Sequence, residues 1–317
     1  MIAVYWIIFV LLALFLIASI GGFAFGIYYT HKMAYHSDRT KTPNPYRGLD
    51  NCEGDAALEV FHRLITELIE LPTEQVHITS RDGLRLSARY YHTSDGAPTM
   101  ILCHGFRSCH ERDFCGISKI GLAMGHNLLL IDQRSHGKSE GTVITYGIKE
   151  RFDVIDWISY INERSGTEAP IILYGLSMGA ATVLMAAGEP LPDNVRCVVA
   201  DCPFSSPLDI IVKVSGDMKI PAFLVNPMAR IAARIDGFSI TETSPVEAVK
   251  RAEIPILLIH GEADGFVPCY MSEKIAAANP SITFERFPNA DHALCCMTDN
   301  PRYNSIAENF IKEALNK

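Results

Sequence analysis

The hydrophobic pattern changes period several times along the chain. Ile2–Thr30 carries no charged side chain, and residues 4–20 are almost unbroken apolar sequence. About 20 helical residues, each rising ~1.5 Å, cross a ~30 Å hydrocarbon core, so this stretch predicts one transmembrane helix. Within residues 55–71, Ala57, Phe61, Leu64, Ile65 and Leu68 form a helical stripe that Pro72 ends. The glutamates on its polar face disfavour anionic lipid, and the apolar face is expected to pack on the domain that follows. Residues 79–92 alternate around Ser80-Arg81-Asp82-Gly83, which predicts an antiparallel hairpin at a sheet edge. Short apolar runs follow at residues 99–103, 171–174, 195–200 and 256–259, and residues 282–287 alternate. Strands spaced by helix-length segments predict an α/β domain with a mainly parallel sheet.

One of these runs leads into candidate chemistry. Ile171-Ile172-Leu173-Tyr174 is followed by Gly175-Leu176-Ser177-Met178-Gly179 and then by Ala180-Ala181-Thr182. This reads as strand, sharp turn and helix, with a serine at the apex. Such a turn lifts the hydroxyl above the sheet, and the glycines leave room for it.

A serine nucleophile needs a general base, and the base needs an orienting acid. In this setting the expected chain order is serine, acid, histidine. Asp264 lies just past the run at 256–259, and His292 lies in the loop after the run at 282–287. Asp201, past the run at 195–200, is a rival acid. All four positions follow strand ends, where parallel α/β sheets build their sites. His104 and His260 each precede a glycine and are expected to be hydrogen-bonded locally. An oxyanion needs two donors. The Met178 N–H, at a helix N-terminus, is one candidate. The Phe106 N–H, in His104-Gly105-Phe106 after the run at 99–103, is the other.

In order along residues 74–317, these elements resemble the α/β-hydrolase superfamily. They are His104-Gly105-Phe106, then Asp132-Gln133-Arg134-Ser135-His136-Gly137-Lys138-Ser139, then the serine turn, then the Asp264 and His292 segments. The second is similar to a loop of monoacylglycerol-lipase-like and serine-aminopeptidase-like members, except that Ser135 stands where glycine is usual. The resemblance implies the α/β-hydrolase fold: a mostly parallel sheet of the eight-stranded type, helices on both faces, and a short helical lid at about residues 205–243. It implies no metal and no organic cofactor. A serine nucleophile argues against the haloalkane dehalogenase and acyl-CoA:amino acid transferase branches.

The expected activity is hydrolysis of carboxylic esters or thioesters with an apolar acyl group. Residues 210–235 are rich in apolar side chains that would wall an acyl pocket, with Phe223 and Met228 as candidates to set its length. Arg230 and Arg234 on one side of a helix, with Ile231 and Ile235 on the other, leave open a membrane-facing lid or ordinary packing. A peptidase is the alternative and would be supported by acidic groups placed to hold a substrate amine. A non-catalytic binding module is a further alternative.

Composition narrows the setting. The 317-residue chain has a net charge of −8, so nothing in its charge favours nucleic acid. Its nine cysteines contain no C-x-x-C pair or zinc-finger spacing. Cys103 and Cys197 fall in apolar strands, Cys295-Cys296 leaves a redox or metal role open, and free thiols favour a reducing compartment. The apolar N-terminus lacks the basic start of a secretory signal, so a retained membrane anchor is expected, with a cleaved signal as the alternative. Lys32, Arg39, Lys41 and Arg47 follow it, which places the catalytic domain in the cytoplasm by the positive-inside rule. Three regions result: an anchor at 1–30, a linker with an amphipathic helix at 31–73, and a catalytic domain at 74–317. The expected partners are the membrane and a small acyl ester, thioester or lipid; no oligomeric state follows. Removing residues 1 to about 35 is expected to leave a soluble, active enzyme, since no candidate catalytic residue lies there.

Overall fold

A computed structural model describes residues 1–38, 44–47, 49 and 55–316. Arg39, Lys41 and part of the linker expected within residues 31–73 lie outside the described residues.

Eight strands form one sheet: β1 (Glu74–Thr79), β2 (Arg85–Tyr91), β3 (Thr99–Cys103), β4 (Asn127–Asp132), β5 (Ile171–Leu176), β6 (Val195–Asp201), β7 (Ile256–Gly261) and β8 (Thr283–Phe287). Their order is β1-β2-β4-β3-β5-β6-β7-β8. β2 runs antiparallel to β1 and β4, and every other pairing is parallel. The edge hairpin forms as expected, with its first strand reaching back to Glu74. β4 adds to the expected strands; it too is buried along its whole length.

The helices are α1 (Ile2–Thr30), α2 (Ala56–Glu70), α3 (His110–Ala123), α4 (Glu150–Ser165), α5 (Met178–Ala187), α6 (Pro207–Asp217), α7 (Ala222–Ile235), α8 (Pro245–Val249), α9 (Tyr270–Ala278), α10 (Cys295–Thr298) and α11 (Asn300–Leu315). They cover both faces of the sheet. Successive strand residues point to opposite faces. Met100 and Leu102 therefore join a core with Ile65 of α2, Phe114 of α3 and Tyr303 of α11. Ile101 and Cys103 join another with Trp157 of α4, Val183 of α5 and Ile275 of α9. Burial on both faces is why these strands read as continuous apolar runs. The α2 stripe packs inward as expected, and Asp55 caps the helix by accepting from the Ala57 and Leu58 amides.

A third core lies above the strand ends. It joins Met178 of α5 to Ile210 of α6, Val225 and Ala229 of α7, and Tyr35. Tyr35 ends a π-helical turn, His31–Tyr35, that continues α1, and its side chain is wholly buried. Its hydroxyl donates to the Ala229 carbonyl at 3.0 Å. His36 pairs with Val143, the Ser37 amide donates to the Thr142 carbonyl at 2.8 Å, and His31 Nδ1 lies 2.7 Å from Asp236 Oδ2. Residues 31–37 are thus packed into the domain. A cut near residue 35, expected to leave a soluble and active enzyme, would remove a core tyrosine. α1 itself has no buried residue, and it meets α7 where a Cβ on Gly26 would lie 2.6 Å from Met228 Sδ.

Candidate active site

β5 ends in the turn that carries Ser177. There φ is 54° and ψ is −113°, a conformation that costs a non-glycine residue about 1–3 kcal/mol. Packing overdetermines it. A side chain on Gly175 would collide with the backbone of Gly179, and one on Gly179 would collide with the Cys103 and His104 carbonyls. The Ser177 amide donates to the Asp201 carbonyl at 2.8 Å, which ties the turn to β6.

The loops after β7 and β8 bring Asp264 and His292 to this serine. Ser177 Oγ lies 3.0 Å from His292 Nε2, and His292 Nδ1 lies 2.7 Å from Asp264 Oδ2. In the tautomer this geometry favours, Nδ1–H donates to the carboxylate, and Nε2 is free to accept the serine proton. Asp264 Oδ1 accepts from the Phe266 and Val267 amides at 2.9 and 2.7 Å. Burial alone would raise the Asp264 pKa, but hydrogen bonds from His260, His292 and the Val267 amide hold it low, at about 2. The group facing His292 is therefore a carboxylate.

Asp201, the rival, is turned elsewhere. Its Oδ2 accepts from the Tyr303 hydroxyl at 2.8 Å, and Tyr303 lies 2.6 Å from the Tyr174 hydroxyl. Burial pushes Asp201 up to about 6, against the pull of Tyr303.

The oxyanion candidates face the same space. Met178 is the first residue of α5, where a helix N–H has no partner within the helix. Gly105 adjoins the serine, since a Cβ there would lie 3.5 Å from Ser177 Cβ. Asp113 of α3 fixes this loop: its Oδ2 accepts the Gly105 amide at 2.7 Å, and its Oδ1 accepts the Ser108 hydroxyl at 2.6 Å. The amide after Phe106, Arg107 N–H, donates to His136 Nε2 at 3.0 Å. Phe106 is thereby held between two anchored neighbours.

Asp113 was not legible as a site residue, and His260 is buried and hydrogen-bonded as expected. His260 is wholly buried, 2.6 Å from Ser272 Oγ, 2.7 Å from the Val267 carbonyl and 3.2 Å from Asp264 Oδ2, so it braces the acid. His104 is bonded locally, as expected, with Nδ1 at 2.8 Å from the Gly105 carbonyl and Nε2 accepting the Gln133 amide at 3.2 Å. The family-like loop at residues 132–139 is structural: Arg134 is buried between Asp153 at 2.6 Å and Asp82 at 2.8 Å. Ser135 has φ 66°, which explains why glycine suits that position.

Cys202, Asp264 and His292 offer donor atoms within 4.8 Å of one another, the spacing of a metal site. Asp264 and His292 direct those atoms at each other, however, and burial pushes the Cys202 thiol well above its ordinary pKa. The set suits a proton relay better than a metal. Burial also raises the Cys295 and Cys296 thiols, the latter to about 12, the opposite of a reactive thiolate.

A cavity of about 530 Å³ opens beside Ser177. Met178 and Phe106 line it at the sheet, and Ile211, Leu224 and Met228 of α6 and α7 line it above. Met228 thus takes its expected place. Phe223 does not, because its side chain turns outward and is 75% exposed. The last turns of α1 also contribute to the wall, which the pattern along the chain did not foretell.

Comparison with known proteins accords with this architecture. A family model described as "alpha/beta hydrolase fold" matches residues 98–230. The Bacillus subtilis protein YqkD is 25% identical over 292 residues, covering 91% of this chain and 92% of its own. Thiohydrolase aneE of Aspergillus aculeatus is 28% identical over 132 residues, 41% of each chain. Among solved structures, the Pyrococcus furiosus esterase Pf2001 superposes with a TM-score of 0.61 at 23% identity, over 78% of this chain and 94% of its own. Est1E from Butyrivibrio proteoclasticus, with ferulic acid bound, gives 0.61 at 20% identity, over 76% of this chain and 100% of its own. With the family match and the strand order in agreement, the chain is assigned to the α/β-hydrolase fold.

Proposed function

We propose that the protein is a serine hydrolase that cleaves carboxylic esters or thioesters with an apolar acyl group. The observation that carries this reading is the unbroken chain from Ser177 Oγ through His292 to the Asp264 carboxylate, beside an apolar cavity. His292 takes the Ser177 proton as Oγ bonds to the substrate carbonyl carbon, and the carbonyl electrons move onto oxygen. The Met178 and Phe106 amides hold that oxyanion. As it collapses, the bond to the leaving alcohol or thiol breaks, and His292 returns the proton to that group. Water then attacks the acyl-enzyme by the same path, releasing the acid and restoring Ser177. Asp264 stabilises the imidazolium and keeps the tautomer.

The esterase names among the structural neighbours and the thiohydrolase name among the relatives support ester or thioester chemistry. The peptidase alternative gains little. Asp113 is an acid against the loop that carries Phe106, and hydrogen bonds from the Gly105 amide and the Ser108 hydroxyl engage both its oxygens.

In the same reading α1 spans a membrane and holds the domain at its surface, on the cytoplasmic side if the basic residues after α1 set its orientation. Its 29 uncharged residues, none of them buried, support this. α6 and α7 act as the lid.

A fluorophosphonate probe is expected to label the wild type but not Ser177→Ala. With p-nitrophenyl esters, three methylenes beyond acetate are expected to raise kcat/KM by up to about 50-fold if fully buried. Absence of labelling would remove the serine-hydrolase reading. A flat profile from acetate to octanoate, together with cleavage of aminoacyl amides, would move the protein to the peptidases.

A further inference from the structure

The cavity has a wall that the chemistry at Ser177 does not require. Phe25, Gly26, Tyr29, Thr30, Met33 and Ala34 line it, from the end of α1 and the turn that follows. These residues continue a helix whose side chains are exposed along almost its entire length.

The aromatic residues of α1 set its depth. Tyr5 and Trp6 stand near one end and Tyr28 and Tyr29 near the other, all exposed. Trp6 and Tyr28 are 22 positions apart. At ~1.5 Å per residue that is ~33 Å, close to the ~30 Å between the two interfaces where Trp and Tyr concentrate. Phe25 and Gly26 then lie about one turn inside the hydrocarbon, and Thr30 to Ala34 lie in the interface. The cavity therefore begins among lipid tails and ends at Ser177. On the lid, Met218 after α6 and Phe223 and Ile235 at the two ends of α7 are exposed by 54%, 75% and 71%. Exposed apolar side chains on an element that packs against a spanning helix suit contact with lipid.

We propose that the cavity opens sideways into the bilayer between α1 and the α6–α7 pair, and that it takes the acyl chain of a membrane-resident lipid ester or thioester. This rests on the serine-hydrolase reading and on α1 spanning the membrane. An acyl chain that follows α1 keeps apolar surroundings from the bilayer to Ser177, whereas entry from water would first expose it. The ester carbonyl of a membrane lipid lies at the interface, the depth at which the cavity passes from α1 to the sheet.

The test uses the full chain reconstituted in phosphatidylcholine vesicles. p-Nitrophenyl hexadecanoate is placed either in the same vesicles or in separate protein-free vesicles, and p-nitrophenyl acetate is supplied in the water. Turnover of hexadecanoate is expected to be at least about tenfold faster from the same vesicles. Gly26→Leu, which intrudes where α1 meets Met228, is expected to lower the hexadecanoate-to-acetate ratio of kcat/KM about tenfold, as excluding roughly two methylenes would. If that variant does not fold, Thr30→Leu, one turn further along, gives the same reading. Equal rates from the two vesicle populations, or an unchanged ratio in a folded variant, would overturn the lateral route. Fluorophosphonate labelling of Ser177 keeps the outcomes separate: labelling with an unchanged ratio sinks only this inference, and no labelling of the wild type sinks the serine-hydrolase reading beneath it.

Discussion

The two walls of the cavity beside Ser177 are built on different principles. At the sheet, hydrogen bonds brace the polar groups: the Asp264 side chain by two amides and His260, the backbone on either side of Phe106 by Asp113 and His136, and the Ser177 backbone by β6. On the other side, the cavity lining from α1, α6 and α7 is apolar, with Gly26 against Met228, and the polar contacts of His31 and Tyr35 lie in the turn that follows α1. Proton transfer and oxyanion binding need donors and acceptors placed to within about 0.5 Å, which cross-braced loops at strand ends supply. Holding an acyl chain is non-directional and scales with apolar area, so a helix that is otherwise unburied can serve. Changes at the first wall should therefore act on kcat, and changes at the second on which acyl chain is accepted.

The largest effect should come from the polar wall. Ser177→Ala is expected to lower kcat by on the order of 10⁴ to 10⁶ with the fold intact, measured by ester turnover and circular dichroism. Near-normal turnover would take the chemistry away from this wall altogether.

Asp264→Asn should come next, at about 10⁴ in kcat, because an asparagine favours the wrong His292 tautomer. Asp201→Asn should lower kcat by less than about tenfold, since its partner is Tyr303 and not His292. The reverse ranking would make Asp201 the acid. The two should also differ in how stability depends on pH. Asp264 has its pKa lowered to about 2, so its stabilisation is present above pH ~4 and is lost as pH falls through 2. Asp201 is raised to about 6, so the unfolded state ionises first and the native state loses stability between pH ~4 and 6. Asp201→Asn should thus gain on the wild type by on the order of 2 kcal/mol between pH 4 and 7, read from urea unfolding at each pH. A constant difference would show that Asp201 does not titrate there.

The apolar side is probed at its attachment. Tyr35→Ala removes a wholly buried ring and its bond to Ala229, and it should cost about 3 kcal/mol of unfolding free energy. Removing residues 1–24 should spare this residue and the cavity lining, while a cut after residue 37 should destabilise the domain much as Tyr35→Ala does. Equal stability of the two truncations would mean that residues 31–37 add nothing to the core.

The smallest effect is expected at Ser135→Gly. It relieves a positive φ but loses the Ser135 hydroxyl's bond to the Val143 carbonyl, and each contributes about 1 kcal/mol. Unfolding free energy should change by less than about 1 kcal/mol. A larger loss would make that hydroxyl a brace of the polar wall.

Local features were legible in the chain itself because they depend on neighbours in sequence. The uncharged run of α1, the alternation of the edge hairpin, the apolar strands and the glycine-flanked Ser177 each follow from the period of side chains or from the steric needs of one turn. Asp264 could be ranked above Asp201 only by its place before the last strand. Contact with His292 was decided by the direction of loops at the ends of neighbouring strands, which bring together residues 115 and 28 positions apart. Asp113 was invisible for the same reason, and His260, expected only to be hydrogen-bonded locally, could not be seen to brace Asp264, since bracing is a property of what lies opposite in space and leaves no period in the sequence. The end of α1 is the sharpest case. Sequence alone determined that this segment is apolar and helical, because apolarity and helix length are local. Only the tertiary structure decided that its last turns wall the cavity at Ser177, because that depends on where Tyr35 is buried and on which face of α7 meets Gly26.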